Sequence, residues 1–208
     1  MGSDKGLLPA GDTIWALSVA GKLAPFGMPI VFSVNEQQLP TYSSYISPDR
    51  LIPDSMAVNG PLKGLLSVHI KFPAKDLLLL ACDMPDLDDV TISKVISAYH
   101  EFNTPREPPP QPTPPPDSPL SPSPQPPHPY DFFVYQDQGF AQPFCGIYSA
   151  RGLAKEYISV LHYDRAAPPG QPNIHDMPDF SLQSMLNKGN TKRLAIDRIA
   201  AFRNVNSL

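Results

Sequence analysis

Asp83 follows the apolar run Leu77-Leu78-Leu79-Leu80-Ala81-Cys82 and stands two residues before Pro85. A carboxylate at the end of such a run can hold a hard cation such as Mg²⁺ against phosphate oxygens. The competing reading is that it only starts the turn into the next helix. Two more polar groups stand in the same relation to an apolar segment. Ser33 and Asn35 close the segment that begins Met28-Pro29-Ile30-Val31-Phe32, and Asp54 follows Leu51-Ile52-Pro53. Near the start, Met1-Gly2-Ser3-Asp4-Lys5-Gly6 offers small and polar residues around one cation, which suits contact with phosphate. A frayed terminus has the same composition.

These groups need elements to carry them. The run 77–82 is too short for a core helix and reads as a strand buried on both faces, as in a parallel sheet. Pro85 cannot donate to a ladder and ends it. Residues 28–34 and 50–52 read as two more strands. Helices are expected over 13–23, with Asp12 or Thr13 as cap, over 36–45, broken at Pro40, and from Pro61 through Leu65, Leu66, Val68 and Ile70. A further helix over 86–102 carries Asp88, Asp89 and Thr91 in its first turn. Its buried face is spaced by Val90, Ile92, Val95, Ile96 and Tyr99. Gly60 and Gly64 permit close backbone approach, or mark a plain turn and a helix-packing contact. Strands alternating with helices predict a three-layer α/β domain with a mostly parallel sheet. In such sheets ligands bind beyond the C-terminal strand ends, and Ser33, Asp54 and Asp83 all arrive at that edge. Farther on, 131–135 and 142–149 read as an antiparallel pair, 150–161 and 180–186 as helices, and 194–199 as weakly strand-like.

The chain's 208 residues suffice for one domain. A net charge of -4 with scattered cations excludes a nucleic-acid partner. The two cysteines, Cys82 and Cys145, lie in apolar contexts outside any CxxC pair. That pattern fits a reduced, cytoplasmic protein rather than a disulfide scaffold or a zinc site. No apolar run approaches membrane-spanning length, and nothing at the start reads as an export signal. Half of the 28 prolines fall between Pro105 and Pro129. Segment 105–129 is expected to be a disordered, extended insertion that can be removed at little cost in stability.

Several blocks, taken in order, resemble the molybdenum cofactor guanylyltransferase family of nucleotidyltransferases. Met1-Gly2-Ser3-Asp4-Lys5 resembles the second half of the signature LxGGxSxRMGxDK. Phe32-Ser33-Val34-Asn35, Pro53-Asp54, Gly60-Pro61-Leu62-Lys63-Gly64, Ala81-Cys82-Asp83-Met84-Pro85, Gln142-Pro143 and Phe202-Arg203-Asn204-Val205-Asn206 follow in register. The resemblance implies a Rossmann-like nucleotidyltransferase fold of the nucleotide-diphospho-sugar transferase type. It implies transfer of GMP from GTP to Mo-molybdopterin with loss of pyrophosphate. Mg²⁺ would be the cofactor, and molybdoenzymes or other cofactor-biosynthesis proteins the partners. Asp83 would hold the metal and act in catalysis with Lys5. GTP would meet Lys5, Ser33, Asp54 and Asp83, and molybdopterin would meet Asn204 and Asn206.

The sequence lacks the strand and LxGGxSxR loop that precede the Met of the signature. That loop would give backbone N–H groups and an arginine to the triphosphate. The strand before it would lie in mid-sheet, so its neighbours would be left with open edges. A chain of these residues alone is expected to be a poor enzyme. The alternatives are a related cytidylyl or sugar-phosphate nucleotidyltransferase, or an inactive remnant that works as an interaction protein.

Overall fold

The computed structural model describes residues 4–103, 129–166 and 179–202. All of segment 105–129 but its last residue lies outside them, as do Asn204 and Asn206.

Lys5–Leu7 form a single 3-10 turn. A small hairpin follows, β1 (Pro9–Ala10) with β2 (Thr13–Ile14), turned at Gly11, whose φ of 62° suits glycine. α1 (Trp15–Gly21) begins where the hairpin ends. The helix expected from residue 13 therefore starts two residues later: the Trp15 N–H bonds the Leu8 carbonyl, and Thr13 and Ile14 belong to the hairpin. Next come β3 (Phe32–Val34), α2 (Leu39–Tyr42), β4 (Leu51–Pro53) and α3 (Pro61–Lys71). Pro40 sits in the first turn of α2, where its missing N–H costs nothing, so it opens that helix instead of breaking it. β5 (Leu77–Leu79), α4 (Asp89–Asn103), β6 (Phe132–Asp137), β7 (Phe140–Tyr148), α5 (Ala150–Ala166), α6 (Leu182–Lys188) and β8 (Thr191–Ala195) follow, and Ala24–Phe26, Pro48–Arg50 and Ile199–Phe202 form further 3-10 turns.

β5, β7, β6 and β8 form a four-stranded sheet in that order. β7 runs antiparallel to both neighbours, and β6 is parallel to β8, so β5, β6 and β8 share one direction. Side chains alternate across this sheet with the period of two that a strand imposes. Phe132, Val134 and Leu77 pack with Leu62 and Leu66 of α3, Leu153 of α5 and Met185 of α6. Phe133, Tyr135 and Leu78 face the other way, against Ile92 and Val95 of α4. Helices on both faces make the three-layer α/β/α arrangement.

At the start of β6, Asp131 is 2 % exposed. It accepts from Arg151 Nε and Lys155 Nζ of α5, each at 2.8 Å, which ties that helix to the sheet.

β3 and β4 pair in parallel as a separate two-stranded sheet, with Ser33 opposite Ile52. Among the described residues β3 has a ladder on one side only, and so does β5. Leu77 through Cys82, expected to be buried on both faces, are instead half-buried throughout. Among the described residues this most apolar strand has a neighbour on one side, β7. Val90, placed on the buried face of α4 by its spacing, is 63 % exposed, because it lies in the first turn and points outward.

Candidate functional site

β5, expected over 77–82, ends at Leu79, and Asp83 lies in the turn that follows Leu80-Ala81. Its side chain is 17 % exposed and accepts from Lys5 Nζ at 2.9 Å. Lys22 of the segment after α1 donates to the Pro85 carbonyl at 2.9 Å, which fixes the turn that leaves Asp83. The 3-10 turn thus delivers Lys5 to the strand-end carboxylate across 78 residues of sequence.

Asp4, the residue before Lys5, accepts three hydrogen bonds. The Gly6 N–H and the Tyr42 hydroxyl reach its Oδ1, each at 3.0 Å, and Gln38 Nε2 reaches its Oδ2 at 2.7 Å. Gln38 is itself held by a reciprocal pair with Asn35: each backbone N–H donates to the other's side-chain oxygen at 2.9 Å. Burial, then the Asp4 charge, push the Tyr42 hydroxyl well above its ordinary pKa, so it remains a donor. Cys82 packs beside this group. Burial first, then the charges of Asp83 and Asp4, raise its thiol to about 11.

Ser33, on β3, donates from Oγ to Asp54 Oδ1 at 2.6 Å, so the parallel pairing of β3 and β4 brings the two together. Asp54 Oδ2 accepts no hydrogen bond from the described residues and can take a donor from a ligand. Gly64 of α3 lies against both: a Cβ there would collide with Ser33 Oγ and approach Asp54 Oδ1 to 3.3 Å. The Gly60-to-Gly64 block is therefore a close approach of helix to strand ends, with Gly60 at a φ of 70° opening the helix.

A cavity of about 260 Å³ is lined by Asp137, Gln142, Ile196, Ile199 and Phe202. Neither Lys5, Ser33, Asp54 nor Asp83 lines it. Among the described residues no three His, Cys, Asp or Glu side chains gather as a metal cluster.

The four residues singled out from the sequence thus form two pairs, Lys5 with Asp83 and Ser33 with Asp54. Asn35, Gln38 and Asp4 link the end of β3 to the turn that carries Lys5. The sequence reading assigned Asp4, Gln38 and Tyr42 no role. The signal was there: Asn35 and Gln38 have the spacing of a reciprocal helix cap, just after a strand whose end carries a candidate ligand.

The family profile of the MobA-like NTP transferase domain matches residues 1–165. The chain belongs to that family. Nucleotidyl transfer is accordingly the activity class of this MobA-like domain. Its fold is also that of solved structures at low identity. The molybdopterin-guanine dinucleotide biosynthesis protein A of Archaeoglobus fulgidus is similar with a TM-score of 0.65 and 14 % identity, over 99 % of this chain and 86 % of that one. A cytidylyltransferase of Leptospira borgpetersenii gives a TM-score of 0.55 and 13 % identity, over 93 % and 70 %. A putative protein of Aquifex aeolicus gives 0.51 and 13 %, over 85 % and 71 %. No curated protein matches the chain. In the MobA-like domain the mixed sheet agrees with the fold the sequence implied, and no helix among the described residues is long and apolar enough to cross a membrane.

Proposed function

We propose that this MobA-like domain transfers GMP from GTP to Mo-molybdopterin. The observation that carries the proposal is the Lys5–Asp83 pair at the end of β5, with Ser33 and Asp54 joined at the end of β3 and β4. In the reaction an oxygen of the acceptor's terminal phosphate attacks the α-phosphorus of GTP. The bond from that phosphorus to the β-phosphate oxygen breaks, and pyrophosphate leaves with the electron pair. Such a transfer asks a protein for positioning and charge neutralisation more than for covalent chemistry.

Asp83 fits Mg²⁺: it is a hard oxygen donor, and one carboxylate completed by phosphate oxygens is a usual arrangement for that ion. When bound, Mg²⁺ supplies positive charge beside the α-phosphate. Lys5 is held on Asp83 at 2.9 Å in a partly exposed pair, which phosphate oxygens can compete for. Its ammonium then neutralises the triphosphate. The raised pKa of Cys82 keeps its thiol neutral at pH 7, so it takes no nucleophilic part. Ser33 Oγ and Asp54 would contact the guanosine half. A carboxylate that accepts from guanine N1 and N2 would select that base, and Asp54 Oδ2, with no donor among the described residues, would take that part. Asn204 and Asn206 are assigned to the pterin half. Their support is the family motif and the position of Phe202, which lines the cavity with Gln142 just before them.

The reading predicts a base preference. In competition titrations with Mg²⁺, GTP binds ahead of CTP and ATP. Asp54→Ala weakens GTP binding by about tenfold to a hundredfold, the worth of hydrogen bonds to a charged acceptor, and changes ATP binding by less than about twofold. Equal losses for both nucleotides would make Asp54 structural. A preference for CTP would assign a cytidylyl reaction instead.

A further inference from the structure

We propose that Asp4, Gln38 and Tyr42 form a positioning network that sets where Lys5 meets the triphosphate, and that residue 6 is glycine to admit the Tyr42 hydroxyl. This deepens the proposed function and rests on the phosphate role of Lys5 given there. Lys5 is the first residue of a turn only three residues long, so the backbone of Asp4 and Gly6 fixes where its side chain starts. The residues of so short a 3-10 turn are held by few hydrogen bonds of their own. Here they are tied by a carboxylate with three donors, two of which come from 34 and 38 residues away.

Each donor is anchored in turn. Tyr42 is 5 % exposed and packs with Ile14, Val34 and Leu51. A Cβ on residue 6 would collide with its hydroxyl. Gln38 is locked to Asn35, two residues beyond Ser33 on the same strand end. The network thus refers the lysine to β3, the strand that carries the base-side Ser33, and sets the spacing between the phosphate and base contacts. A charge-assisted hydrogen bond on a short side chain holds direction as well as distance. Neither Gln38 nor Tyr42 needs to touch the nucleotide for this, so both are positioning residues.

The test is a double-mutant cycle on Mg-GTP affinity, read by equilibrium titration, with thermal melting alongside. Tyr42→Phe and Gln38→Met should each weaken Mg-GTP binding about tenfold when Lys5 is present, and less than about twofold in the Lys5→Ala background. A merely structural role would not depend on Lys5. Equal losses in both backgrounds, or failure of both variants to fold, would overturn the inference. Should Tyr42→Phe alone fail to fold, Gln38→Met carries the same cycle with the buried ring in place. If Lys5→Ala by itself leaves affinity unchanged, the phosphate role of Lys5 fails and the inference with it, a result distinct from equal losses in both backgrounds.

Discussion

In a chain that carries the LxGGxSxR loop ahead of Met1, Asp83→Asn lowers Mg²⁺-dependent nucleotidyl transfer on the order of a hundredfold to a thousandfold, the scale on which removing one electrostatic stabiliser of a transition state acts. The substitution keeps shape and removes charge. The amide would offer a neutral oxygen in place of the anionic one, a poor ligand for a hard divalent ion. It would also release Lys5 from the pair now held at 2.9 Å. That pair is partly exposed, so its loss changes stability by less than about 1 kcal/mol. The expected combination is therefore lost turnover at an unchanged melting temperature. Single-turnover measurements across Mg²⁺ concentrations check it, and near-normal turnover would remove Asp83 from the centre of the site.

Phe133→Ala unfolds the domain at a much lower temperature. Phe133 is 0 % exposed on β6, between β7 and β8. Its ring meets Tyr99 at 5.6 Å, Tyr130 at 5.7 Å and Phe102 at 6.4 Å, and through them seats α4 on the sheet. Truncating a buried aromatic costs about 3–5 kcal/mol. For a domain of this size that corresponds to roughly 6–20 °C in melting temperature. Phe140→Ala is the control: Phe140 lies on the neighbouring strand but is 72 % exposed, and its removal should shift melting by about 2 °C or less. Similar shifts for the two variants would mean that this face of the sheet is not the core.

How much of this was legible in the sequence depends on how local each signal is. Asp83 could be placed at a strand end because an apolar run stops at Asp-Met-Pro, and strand and breaker are both local. Asp54 could be placed for the same reason. Their pairing with Lys5 and Ser33 could not be read, since it depends on how the strands lie against each other. The burial of 77–82 was misjudged for that reason as well: leucine content states what a strand would prefer, and its neighbours state what it gets. The weak strand expected over 194–199 lies at Thr191–Ala195 instead, where Lys192 and Arg193 interrupt the apolar pattern, and Ile199–Phe202 is a 3-10 turn. The structure shows why the strand holds: Lys192 lies 4.5 Å over the Phe102 ring, and Arg193 bonds the Gly139 carbonyl and Asn187. Charged side chains with such partners do not oppose a strand. β3 and β5 are short, three residues each.

Transfer of GMP to a pterin phosphate is read by acceptor-dependent pyrophosphate release. With the chain extended ahead of Met1 by the LxGGxSxR loop and in excess over GTP, in Mg²⁺, pyrophosphate is expected only when Mo-molybdopterin is added, in equal amount with the guanine dinucleotide product, and none with Asp83→Asn. Pyrophosphate release that ignores the acceptor, or that favours CTP over GTP, would contradict that transfer.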